Sequence, residues 1–61
     1  MNNNVELLNE QFGQFTENLT KFTDKQNAAA GTRARKALLE MAKLTKVIRK
    51  EIQDKKNAGQ A

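Results

Sequence analysis

The side chains in this 61-residue sequence that could do chemistry are almost all cations and carboxylates. Histidine, cysteine, tryptophan, tyrosine and serine are absent, which removes the common nucleophiles, most general bases and the soft metal ligands. Glu6, Glu10 and Glu17 stand at intervals of four and seven residues and can align on one side of a helix. Nothing sets one of them apart from the others as an acid–base pair requires, so they read as solubilising charge. There is no glycine-rich phosphate loop, and the chain is too short to wall a pocket. Neither an enzyme nor a metal, cofactor or small-molecule site is expected. What remains is a set of bases, Arg33, Arg35, Lys36, Lys43, Lys46, Arg49 and Lys50, at intervals that return most of them to one side of a helix. Positive charges repeated along a rigid rod are suited to the phosphates of nucleic acid.

Net charge is +4, and its distribution says more than its sum. Residues 1–20 hold three acids and no base, whereas residues 21–61 hold all eleven bases against four acids, a balance of +7. One half is suited to a polyanion and the other is not. A lysine-rich helix face is often no more than solvated surface. Here the bases share a side that Glu40 and Glu51 avoid, while the partner helix is acidic. No aromatic residue accompanies them to stack bases, so double-stranded DNA would be held by its phosphates, without sequence preference, and RNA is a lesser variant. Leu39 sits among the bases and is either a lone exposed leucine or, as favoured here, an oligomer contact.

These residues need helices to position them, and the absence of proline permits long ones. Val5, Leu8, Phe12, Phe15, Leu19 and Phe22 recur at alternating intervals of three and four, the heptad pattern of a helix with a narrow apolar seam. Asn4 is placed to cap it, with Glu6 in a first turn whose dipole favours an acid. Gly13 costs about 1 kcal/mol relative to alanine, and close packing beside Phe12 and Phe15 would explain it. The second half repeats the pattern with Ala30, Ala34, Ala37, Met41, Leu44, Ile48 and Ile52. Folded antiparallel, Leu19 and Phe22 meet Ala30 and Ala34, and Val5 and Leu8 meet Ile48 and Ile52.

The turn has two readings. Either Gln26–Asn27 closes the first helix and Asn27 caps a second beginning at Ala28, or Gly31 ends the first and Thr32 caps the second. The first is favoured because Ala28–Ala30 is strong helix former, which leaves Gly31 as a packing glycine. The predicted fold is all-α, an antiparallel two-helix hairpin: helix 4–25, turn 26–27, helix 28–56, with residues 1–3 and 57–61 as disordered ends. A domain this small rarely holds a sufficient core alone, and there are no disulfides to add. Dimerisation into a four-helix bundle is therefore expected, with a tetramer as runner-up, and with Leu8, Phe12, Phe15, Leu19, Phe22, Met41, Leu44 and Ile48 as core or oligomer contacts. No apolar run is long enough to span a membrane, and the first residues lack the positive charge of a signal peptide. A cytoplasmic protein of the nucleoid is expected.

The stretch NAAAGTRARKALLEMAKLTKVIRKE resembles the bacterial linker-histone-like family, DNA-condensing proteins of chlamydiae and of many Bacteroidetes-type bacteria. The family pattern is an Asn, a run of small residues, Gly-Thr-Arg-Ala-Arg-Lys, and an amphipathic stretch ending in Lys-x-x-Arg-Lys. It falls here on Asn27, Ala28 to Ala30, Gly31 to Lys36, and Lys46 to Lys50. The likeness covers roughly residues 20–56, and the first helix only by its amphipathic character. It implies a nucleoid-associated DNA-binding protein whose phosphate-facing positions are Arg33, Arg35, Lys36, Lys43, Lys46, Arg49 and Lys50. The long lysine- and alanine-rich C-terminal tail of the chlamydial members is missing from this sequence, so oligomerisation is expected to matter more. The competing reading is a helical oligomerisation or protein-interaction module with no nucleic-acid role.

Overall fold

The computed structural model describes residues 3–60, the last by its backbone alone. Met1, Asn2 and Ala61, three residues of the expected disordered ends, lie outside the described residues. Two helices, α1 (Asn3–Lys25) and α2 (Ala28–Gln60), pack against each other as an antiparallel hairpin, and there is no strand among the described residues. The molecule is a rod of 53 × 16 × 13 Å.

The chain reverses at Gln26 and Asn27. Gln26 takes a left-handed φ of 52°, and the Asn27 amide then donates back to the Lys21 carbonyl at 3.3 Å. Asn27 caps α2: its Oδ1 accepts from the Ala30 amide at 3.2 Å, satisfying one of the amides that a helix start leaves unpaired. Gly31 lies inside α2, where a Cβ would come within 2.6 Å of the Phe22 ring. Its lack of a side chain is what lets that ring cross the hairpin.

Among the described residues only Ala30, Ala34 and Ala37 are buried. Around this small row Leu8 and Phe15 of α1 and Met41, Leu44 and Ile48 of α2 are half-buried. The expected apolar seam of α1 does not face α2 squarely. Its pairing edge is Asn4, Leu8, Gln11, Phe15 and Asn18, so residues 4, 11 and 18 take the places expected for 5, 12 and 19. Val5, Phe12, Leu19 and Phe22 are left 42%, 56%, 40% and 47% exposed, and Ile52, expected opposite Val5, is 62% exposed. The alanine row explains the rotation. Alanines bring the helix axes close, and the gap cannot take a phenylalanine at every turn. Polar side chains at the edge can instead bond across it: Asn4 Nδ2 donates to Glu51 Oε2 at 3.2 Å, and Arg33 Nε donates to Asn18 Oδ1 at 2.9 Å.

Three local expectations are corrected. Asn4 does not cap α1; it lies within the first turn and uses its amide on Glu51. Gly13 is not close-packed, for a Cβ there would meet nothing within 4 Å. Residues 57–60, expected as part of a frayed tail, continue α2, helped by Ala58 and by the Gln53 Nε2 bond to Asn57 Oδ1 at 3.2 Å.

Candidate nucleic-acid interface

The outer faces of the two helices carry opposite charge. On α1, Glu6, Glu10, Glu17 and Asp24 fall within about 40° of one another at the helical period, pointing away from α2. On α2, Arg35, Lys36, Lys43, Lys46, Arg49 and Lys50 are all exposed and occupy the side away from α1. From Arg35 to Lys50 the helix rises about 22 Å, longer than a half-turn of duplex DNA. A hairpin of two helix thicknesses thus has an acidic back and a basic front.

The bases are not equivalent. Lys46, Arg49 and Lys50 come together around one shallow cleft, with Gln53 as its fourth wall. Gln53 escaped sequence reasoning because it is uncharged; its place four residues after Arg49 and seven after Lys46 was the available signal. Arg35 and Lys36 border a second depression, floored by Leu38, Leu39 and Ala42. Leu39 is 60% exposed there, in the middle of the basic front. Arg33 stands apart. It lies on a polar flank of the hairpin, bonded to Asn18 across the gap, with Gln11, Gln14 and Glu40 nearby.

Acids do reach this front, contrary to expectation. Lys43 Nζ pairs with Glu40 Oε2 and Lys50 Nζ with Asp54 Oδ2, each at 3.2 Å between exposed groups. Such pairs contribute about 0.2–1 kcal/mol each, little enough to be exchanged for phosphate contacts. Arg35, Lys46 and Arg49 extend into solvent between them. Of the expected core or oligomer residues, Leu8, Phe15, Met41, Leu44 and Ile48 line the hairpin interface, while Phe12, Leu19 and Phe22 lie along one exposed flank.

The family model for histone H1-like protein Hc1 matches residues 2–58, including the whole of the turn and nearly all of both helices. The chain belongs to this family. The match extends to α1, well beyond the stretch around GTRARK that carries the resemblance in the sequence. Histone H1-like Hc1 proteins are DNA-binding structural proteins rather than enzymes, and membership points to the nucleoid. No curated protein and no solved structure matches the chain significantly. Among the described residues no helix is long and apolar enough to cross a membrane, and no group of carboxylates could hold a metal ion.

Proposed function

We propose that this protein binds double-stranded DNA without sequence preference, neutralising phosphates with the basic front of α2, and that it organises the cytoplasmic nucleoid as a dimer. The observation that carries this reading is the separation of charge between two outer faces in a member of a histone H1-like family. Scattered lysines would serve solubility equally well. Six exposed bases on one helix, with the acids of the other helix turned to the opposite side, create a directed field that orients a polyanion. Arg35, Lys36, Lys43, Lys46, Arg49 and Lys50 make the contacts, and Arg33 reaches a flanking phosphate by leaving Asn18. The front offers no stacking platform, since all three phenylalanines belong to α1. Contacts are therefore to phosphate and not to base edges.

A salt titration tests it. With four to six phosphates neutralised per chain, log affinity should fall with log salt at a slope of about −4 to −5, losing about 10²- to 10³-fold between 50 and 200 mM salt. Two duplexes of unrelated sequence should give the same curve, and a matched RNA duplex shows whether the 2′-hydroxyl matters. The exposed apolar flank favours a second reading, an assembly or protein-interaction module whose bases serve only solubility. No binding to DNA at low salt would establish that reading in place of the first.

A further inference from the structure

The hairpin exposes more surface than a protein of its mass should. Its accessible area is 4962 Å², against about 4,000 Å² for a globular monomer of this size. Its radius of gyration is 15.2 Å, where about 10.5 Å is usual. The surplus, about 1,000 Å², is close to the roughly 800 Å² that each partner contributes to a standard interface. Most of the large apolar side chains that the hairpin exposes lie on one flank. There Val5, Phe12 and Leu19 of α1 recur every seven residues, and Gly31, Leu38, Thr45 and Ile52 of α2 do the same. The opposite flank is lined by Gln11, Gln14, Arg33 and Glu40, with Leu7 and Val47 as its large apolar side chains.

The two rows share a midpoint. Asn4 bonds Glu51, Asn18 bonds Arg33, and Phe22 rests on Gly31; together these contacts set Phe12 level with Met41, midway between Leu38 and Thr45. A two-fold axis crossing the flank at that level returns the flank to itself, apolar side chains over apolar. Phe12 meets Phe12 of a second copy, and Val5 meets Leu19. Leu38 meets Thr45, whose hydroxyl is already bonded to the Ala42 carbonyl at 2.8 Å and so leaves its methyl to pack. Ile52 meets Gly31. Self-complementarity of this kind is what an isologous dimer requires.

We infer that the occupant of this flank is a second copy of the chain, with α1 packed antiparallel on α1 and α2 antiparallel on α2. This arrangement sets both basic fronts on one side of the four-helix bundle, with the two α2 axes about 8–10 Å apart, and the acids of both α1 helices on the other. The phosphate-binding surface is then composite, six bases from each chain facing one duplex. This last step rests on the DNA-binding reading above; the dimer itself does not. The alternative bundle, with α1 over α2 of the second copy, would send the two basic fronts to opposite sides.

A spin label on Gly13→Cys separates these, because a side chain at Gly13 meets nothing and lies one residue from the axis. Side-by-side α1 helices put the two labels within about 20 Å, whereas diagonal placement puts them beyond about 25 Å. Phe12→Glu, on a ring already 56% exposed, should give a helical monomer with DNA affinity at least tenfold lower. Should that variant unfold, the label distance decides. A wild-type monomer of 6.9 kDa at micromolar concentration, or the longer distance, overturns the inference. A dimer with the short distance but no DNA binding upholds the dimer and overturns the DNA reading alone.

Discussion

Reversing Lys43, Lys46 and Lys50 to glutamate should weaken DNA binding at least about a hundredfold while the hairpin stays folded. Each lysine that neutralises a phosphate releases about 0.9 of a counterion, worth about 1 kcal/mol at physiological salt, so three contacts amount to about 3 kcal/mol, or roughly 150-fold. Two of the three must first leave an acid, Lys43 its Glu40 and Lys50 its Asp54, and this trims the contribution of each. Reversal more than restores the difference. The new glutamates repel phosphate, and they leave Glu40 and Asp54 unpaired beside them. All three positions are exposed, so each substitution should shift stability by only about 0.5 kcal/mol. Fluorescence anisotropy with two unrelated duplexes, at several salt concentrations, reads the affinity and its slope; the slope should flatten by about 2.7. Far-ultraviolet circular dichroism checks the fold. Unchanged affinity and slope in a folded triple variant would refute the placement of phosphates on this face.

The two mid-helix glycines should respond oppositely to alanine. Gly13→Ala fills open space and should gain about 1 kcal/mol, about 4–8 °C in thermal midpoint, whereas Gly31→Ala must push the Phe22 ring off the hairpin and should gain nothing or lose stability. Equal stabilisation by both would show that the Phe22 contact is dispensable. Gln26→Gly relieves the left-handed φ of 52° and should add about 1 kcal/mol in denaturant unfolding. Phe15→Ala, on a half-buried ring, should cost about 2–4 kcal/mol, at or below the range for a fully buried phenylalanine, and should lower helix content and DNA affinity together.

Much of the fold could be read from the spacing of residues. The heptad pattern of α1, the alanine row of α2 and the Asn27 cap are local or periodic signals, and the hairpin follows from them. The packing of Gly31 was legible for the same reason, since a glycine on the small side of a seam has few other uses. The rotation of α1 was not. Periodicity defines a stripe on a helix, but only the partner decides which edge of the stripe is covered. Here the partner is a row of alanines, and bonds as specific as Arg33 to Asn18 settle the angle. The grouping of the α2 bases on one side was legible from the helical period. The pairing of Lys50 with Asp54 was missed because only Glu40 and Glu51 were weighed as the acids near the basic face, whereas Asp54 falls at the angle of Lys36 and so on that face itself.

The rotation also explains how so small a core can belong to so ordered a charge pattern. If Phe12 and Leu19 were wrapped against α2, the flank would lose two of its large exposed apolar side chains, and little would fix how a second copy approached. Turned outward, they give the rod one apolar flank between its acidic back and its basic front. Any partner that covers that flank is held with its own charges at a set angle to these. When the partner is another hairpin, like charges are brought side by side. Their repulsion is a cost that apolar burial must exceed, and that phosphate relieves on the basic side. Such a dimer should tighten when DNA binds and loosen at low salt without it, which links assembly to the polyanion with no moving part.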